Sequence, residues 1–452
     1  MKINEPYHTL DGIIEKLNIE AFELIKLVIE KPNSIPPKVV ELVGSSKEKG
    51  FVDISDKIIG PSTERTTDHG GNTTSIFLIN ESGRFGFDET NFFNFKKLVK
   101  KLYSIKNLNQ KLSLNFIETT SFQWIINVYE KQKAESSLFD YLMTNADESV
   151  KNYTFFFPVL NLEIEKKFKV GNVEFTFFTK EYFDKLLASL KEKNEDNYTQ
   201  IFRKDFQGQV LAEIEIFAEK KKAEELAKQQ AEIAVNILKI YSESAIIPEK
   251  KTMFDLNYKL GYQVQSNFLI QKSKDSDDLS LNLNFNNYPS NYSTKRYNLA
   301  NKGGLNYFSD FLLLKKNDEL YNIIIQSINL FGTAISNWDL HLRCITLITL
   351  LESIFLKEDE DYKMEHKTKT RLSKILSKKN EEKERIKSVF SSIYDVRHKM
   401  IHKGKRIDFD TKILSEAQMQ ISQLFLHLIQ LNSKGGLTLK TNLIELIDKQ
   451  KN

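Results

Sequence analysis

The chain has 452 residues, of which 40% are hydrophobic and 28% charged, with only 17 Gly and 8 Pro. That length suits two or three folding units, and the composition excludes collagen-like, low-complexity and wholly disordered classes. The single cysteine, Cys344, excludes an internal disulfide framework and a multi-cysteine zinc site; the net charge of +4 by itself predicts no nucleic-acid partner.

In chain order, GIIEKLNIEAFELIKLVIEK (12–31) has apolar residues at helical spacing, within a first 50 residues read as helical pieces broken by Pro. GPSTERTTDHGGNTTS (60–75) reads as a polar loop. SIFLIN (75–80), KLSLNFIE (111–118) and FQWIINVYE (122–130) read as strands, making 1–150 a mixed α+β unit of unknown role. A second α+β unit, 151–312, opens with β-rich runs at 152–168 and 173–179 around a Val170-Gly171-Asn172 turn. It continues through a helix at 180–194, a strand at 210–219 and an amphipathic helix at 220–242, then short strand-like pieces over 250–310. Trp124, Phe155, Phe156, Phe157 and Phe177 fall in strand-like runs and read as sheet core.

From 313 to 452 the texture becomes helical. Helices are predicted at 318–335, 337–356, 369–379, 380–402, 411–432 and 438–449, the second apolar on nearly every face and therefore central. Asn380 and Asp410 read as N-caps and Gly404 as a helix terminator. The predicted fold class is thus α+β: a mixed N-terminal region followed by an all-α bundle. Cys344, in the apolar helix, reads as an inert buried thiol.

Charge is unevenly spread. Residues 363–412 hold sixteen Lys and Arg against seven Asp and Glu, a local +9 that leaves −5 for the rest of the chain. Such a block attracts phosphate or simply solvates a helical surface. Five of the nine arginines lie between 343 and 406, and Arg carries the planar fork that suits phosphate.

Within the block stands Arg397-His398-Lys399-Met400-Ile401-His402, closing a long helix before Lys403-Gly404-Lys405-Arg406. At 100° per residue from Ile386, Arg397 falls at about 20°, inside the apolar stripe, where a charge needs a partner or a groove. His402 falls at about 160°, and a distortion at the helix end could turn it towards Arg397. Arg397 can pair structurally with Glu352; His402 can be a C-terminal capping histidine. His398 reads as a supporting residue. His398 and His402 have the i, i+4 spacing of a helical zinc pair, but no Glu follows in the HExxH manner, and Asp395, Asp408 and Asp410 have no clear geometry, so no metal is assigned.

The segment DVRHKMIHKGKR (395–406), with LITLLESIF (347–355) and its embedded Glu352, resembles the HEPN superfamily, and most closely its Apea-like branch. The resemblance covers about residues 317–432, and more loosely 152–242. It implies a metal-independent endoribonuclease without cofactor, with Arg397 and His402 catalytic, His398 and Glu352 supporting, and Lys399, Lys403, Lys405 and Arg406 contacting RNA. It further implies a homodimer through the bundle, products ending in a 2′,3′-cyclic phosphate, and a role in anti-phage or toxin-like defence. The alternative is a non-catalytic RNA-binding or interaction module.

The start MKINEPYHTL has no apolar signal core and no run of 18 apolar residues occurs, so a cytoplasmic location without membrane attachment is expected. The N-terminal region is expected to respond to a phage-derived or small-molecule trigger. Neither a G-x-x-x-x-G-K-[ST] loop nor a G-x-S-x-G elbow is present. Asp68-His69-Gly70-Gly71 reads as a turn, and His8, His341, His366 and His427 as isolated structural or exposed residues.

Overall fold

A computed structural model describes residues 11–31, 62–80, 83–182, 184, 207–250, 254–257, 267–272, 279–284 and 290–450. The fold is α+β with an all-α C-terminal bundle. The chain forms two compact units, 1–153 with 216–225, and 154–215 with 226–452, so most of the segment 151–312 falls in one unit with 313–452, while 151–153 and 216–225 belong to the first.

In the first unit, helix α1 (Asp11–Ile25) ends earlier than its periodicity suggests, and the chain continues as strand β1 (Ile29–Lys31). Strands β2 (Ser62–Thr67), β3 (Thr73–Asn80) and β4 (Gly83–Phe87) complete an antiparallel sheet of order β1-β4-β3-β2. The stretch 62–75, expected as a loop, is therefore a hairpin. STERTT has the β-branched content of a strand but no apolar alternation, and its partner β3 supplies the apolar residues. Asp68 to Asn72 forms the turn: Asp68 Oδ1 accepts the Asn72 backbone N–H at 2.8 Å.

Helices α2 (Glu89–Ser104), α3 (Lys106–Lys111), α4 (Leu114–Lys131) and α5 (Leu138–Ser149) follow. Helix α4 replaces both strands expected over 111–130. Ser113 caps it by accepting the Phe116 N–H at 3.1 Å. Its apolar residues are dense enough to read as strand in short windows, yet Ile117, Ser121, Phe122, Ile125 and Val128 recur at helical spacing on the buried side. Trp124 is accordingly a helix residue in the core, with Nε1 donating to the Ser136 carbonyl at 3.1 Å.

The second unit contains a five-stranded sheet of order β10-β5-β9-β8-β7, from β5 (Val150–Leu160), β7 (Phe168–Val170), β8 (Val173–Phe177), β9 (Val210–Glu219) and β10 (Asp255–Leu256). Strand β6 (Leu162–Ile164) pairs in parallel with β13 (Ser290–Tyr292), and β11 (Asn267–Lys272) pairs with β12 (Leu279–Asn284). The helix expected at 180–194 lies largely outside the described residues. Helix α6 (Lys220–Ile240) forms as its stripe predicts, followed by the short α7 (Glu243–Ile246). Residues 294–310, within the stretch expected as strand-like, fall in two helices instead, α8 (Thr294–Lys302) and α9 (Leu305–Leu313). Ser293 caps the first, and Leu305, Phe308 and Phe311 form the buried face of the second.

The bundle comprises α10 (Glu319–Ser336), α11 (Leu340–Phe355), α12 (Met364–Leu376), α13 (Asn380–Lys403), α14 (Thr411–Ser433) and α15 (Lys440–Asp448). Helix α11 is central: it packs against α10, α12, α13 and α15, and Leu347, Ile348, Leu351, Ile354 and Phe355 are fully buried. Each such side chain contributes about 1.5–3 kcal/mol. The Cys344 thiol is buried here and pushed up to about 12, which leaves it protonated and unreactive at neutral pH. Gly332 lets α10 approach α6 closely, since a Cβ there would lie 2.2 Å from Asn236 Oδ1. Asp410 caps α14 as expected, accepting the Lys412 N–H at 2.9 Å, whereas α13 begins at Asn380 itself, preceded by Lys379.

Arg371 on α12 ties three parts of the bundle. Its fork bonds Glu360 at 2.5 and 2.9 Å and Asp448 of α15 at 2.8 and 3.0 Å, and Nη1 also bonds the Phe355 carbonyl. The Arg371 hydrogen bond outweighs burial and holds Glu360 down to about 2 from its ordinary 4.5. The stabilisation is therefore complete above about pH 4.5 and is lost as pH falls towards 2. Glu360→Gln is expected to cost about 1–3 kcal/mol at pH 7 and to flatten the fall in stability across that window. Unfolding followed by circular dichroism at stepped pH measures both effects; a variant with wild-type acid sensitivity would remove Glu360 from the account. Among the described residues no helix is long and apolar enough to cross a membrane.

Candidate functional site

Helices α11 and α13 pack antiparallel, joined through Glu352 at one end, while at the other Asp339 and His341 hold Arg406 and Ile407 in the segment that follows α13. Arg397 lies on the face of α13 turned to α11, as its place in the apolar stripe requires. Its Nη2 donates to Glu352 Oε2 at 3.2 Å, and Tyr394, one turn earlier, donates its hydroxyl to Glu352 Oε1 at 3.2 Å. The guanidinium carbon stands 5.9 Å from the centre of the Tyr394 ring. Glu352 is thus fixed by two donors, and Arg397 by one carboxylate and one ring. Burial, then the neighbouring Glu352, raises the Tyr394 hydroxyl well above its ordinary value, so it remains a donor at neutral pH. The Arg397 side chain keeps 30% of its surface exposed against 12% for Glu352, which leaves the fork partly open to solvent.

The helix does not distort before its end. It runs to Lys403 and is terminated by Gly404 at φ +60°, the left-handed conformation that favours glycine. The Gly404 and Lys405 N–H groups then bond the Met400 and Lys399 carbonyls. His402 therefore stays about 140° around the helix and about 7.5 Å along it from Arg397. Among the described residues no hydrogen bond joins the two, so one chain does not bring Arg397 and His402 together. His402 is exposed and its ring instead neighbours that of His398, likewise exposed, with centroids 4.8 Å apart.

The four residues expected to contact RNA divide. Lys399, Lys403 and Lys405 have no side-chain hydrogen bond or ion pair among the described residues; Lys403 and Lys405 are exposed and Lys399 is half-buried. Arg406 is committed to Asp339, the cap of α11. The same holds for the other arginines of the block: Arg371 pairs with Glu360 and Asp448, Arg385 with Glu416, and Arg397 with Glu352. All these carboxylates lie outside 363–412, so the +9 counted along the sequence is reduced by partners distant in it. The local excess of Arg has a structural origin.

Two residues at the site, Tyr394 and Asp339, were not singled out by sequence, and a third, His341, was read only as an isolated structural or exposed histidine. Tyr394 carried a usable signal, its i−3 position on the face of Arg397. Asp339 carried none, and nothing local named the partners of His341: its Nε2 lies 2.9 Å from the Ile407 carbonyl oxygen and its ring meets Phe409 edge-on, which anchors the segment following Gly404. The chain matches no protein-family model, no curated protein and no solved structure.

Proposed function

We propose that this chain is a metal-independent endoribonuclease of the HEPN type, acting in the cytoplasm as a homodimer in anti-phage or toxin-like defence. The observation that carries this is the end of α13: an exposed imidazole at His402, a guanidinium at Arg397 oriented by Glu352 and Tyr394, and three unpaired lysines around them. In the reaction, the ribose 2′-oxygen attacks the adjacent phosphorus, the O2′–P bond forms and the P–O5′ bond breaks. One imidazole takes the 2′-OH proton and another gives a proton to the departing O5′. Arg397 keeps donors beyond the one spent on Glu352, and these suit the charge that gathers on the phosphate. Because Arg397 and His402 diverge within one chain, a second copy related by two-fold symmetry supplies the complementary group. The N-terminal region would hold the nuclease inactive until a phage-derived or small-molecule trigger arrives.

A second reading, a non-catalytic RNA-binding or interaction module, is favoured by one observation: the Arg397–Glu352 pair gives the arginine a structural role without any substrate. Incubation of the purified chain with mixed RNAs separates the two. Cleavage products ending in 2′,3′-cyclic phosphate, formed at least as well with chelator present, are expected. Binding without cleavage under every trigger tried would leave the module.

A further inference from the structure

The rings of His398 and His402 are exposed on one side of α13, their centroids 4.8 Å apart and their planes tilted by 47°. Neither ring has a hydrogen bond to the protein among the described residues, in contrast to His341, which is held by Ile407, and His427, whose Nδ1 lies 3.0 Å from the Gln423 carbonyl oxygen. Two imidazoles four residues apart on a helix are a chelate. Bonds of about 2.0–2.1 Å from each ring to one ion place the ring centroids roughly 5 Å apart at a near-tetrahedral angle. The separation present here already meets that requirement.

We propose that His398 and His402 together bind a borderline divalent transition-metal ion of the zinc class. Its consequence for cleavage rests on the ribonuclease assignment: metal on His402 occupies the nitrogen lone pair that proton transfer needs, so the bound ion is an inhibitor and not a cofactor. Imidazole discriminates against Mg²⁺ and Ca²⁺, which prefer oxygen ligands. Among the described residues no group of three metal-ligating side chains is assembled, so water completes the coordination. Asp395, exposed one turn before His398, adds negative charge on the same face. The C-terminal end of the helix favours a cation as well. Lys399, Lys403 and Lys405 oppose it, but water and salt screen repulsion between charges at a solvent-exposed helix end.

The test uses the full chain stripped of metal and titrated with zinc chloride by equilibrium dialysis or calorimetry. Saturable binding of one ion per chain is expected, weakened about tenfold or more by His398→Ala and equally by His402→Ala. His366→Ala, at an isolated exposed histidine, is expected to bind zinc as the wild type does. Both chelating positions are exposed, so circular dichroism should show the variants folded. Absence of saturable binding, or binding unchanged in His398→Ala, overturns the site. The readout needs no RNA: a chain that binds zinc through the pair but never cuts RNA keeps the site and loses the ribonuclease, and one that cuts RNA but ignores zinc loses the site alone. Undiminished cleavage by zinc-saturated protein would overturn the inhibitory consequence.

Discussion

His402→Ala is expected to lower the single-turnover rate of RNA cleavage by about 10²–10⁴-fold, the usual loss when a positioned acid–base group is removed. The fold should not notice: the side chain is exposed at the last turn of its helix and holds no hydrogen bond among the described residues, so stability should change by no more than about 0.5 kcal/mol. Arg397→Ala should reduce cleavage by about 10²–10³-fold, since a preorganised donor to the phosphate is lost. It should also cost stability, because Glu352 keeps Tyr394 but loses its cation. Arg397→Lys separates the two effects: a retained charge restores much of the pairing with Glu352, while loss of the planar fork keeps the rate low. A gel or fluorescence assay beside a thermal melt reads both quantities. If both alanine variants remain folded and cut RNA at wild-type rates, these residues are not the catalytic pair, and the ion pair of Arg397 is purely structural.

The largest expected effect on stability lies at Arg343, near the start of α11 and only 1% exposed. Among the described residues no carboxylate forms an ion pair with it. Its fork donates instead to the carbonyl oxygens of Pro248, Ile335 and Asn337 and to the Gln418 side-chain oxygen, at 2.7–3.4 Å. Two of these carbonyls sit at the end of α10, where helical partners run out and the helix dipole is negative. Burial lowers the guanidinium to about 10, still charged at neutral pH, so oriented peptide dipoles take the place of water around it. Arg343→Met keeps much of the volume and removes the donors, leaving these acceptors buried without partners. We expect a loss of about 3–5 kcal/mol, measured by urea unfolding. Arg343→Lys should recover only part, because one nitrogen cannot reach every acceptor. A loss below about 1 kcal/mol for Arg343→Met would mean that the site relaxes or admits water.

These two arginines show where sequence information stopped. Nothing in RCITLITL distinguishes Arg343, buried against carbonyls, from a solvated helix residue. The wheel placed Arg397 on a packing face, and that required a partner, but only the packing of α11 on α13 made Glu352 that partner and added Tyr394. Helix ends were legible where the capping chemistry is local, as at Gly404 and Asp410. Residues 111–130 were misread because an apolar-rich helix resembles two strands in short windows. The strand at 62–67 was missed because its apolar complement lies on β3.

By itself the sequence determined the α+β class, the amphipathic helices of the C-terminal bundle, the central position of α11 and the basic tip carrying Arg397 and His402. These follow from hydrophobic period and capping residues, which act over a few positions. Only the tertiary structure decided which of the clustered cations remain free. Their partners, Asp339, Glu352, Glu360, Glu416 and Asp448, lie tens of residues away in most cases, and an ion pair depends on distance in space, which no local pattern encodes.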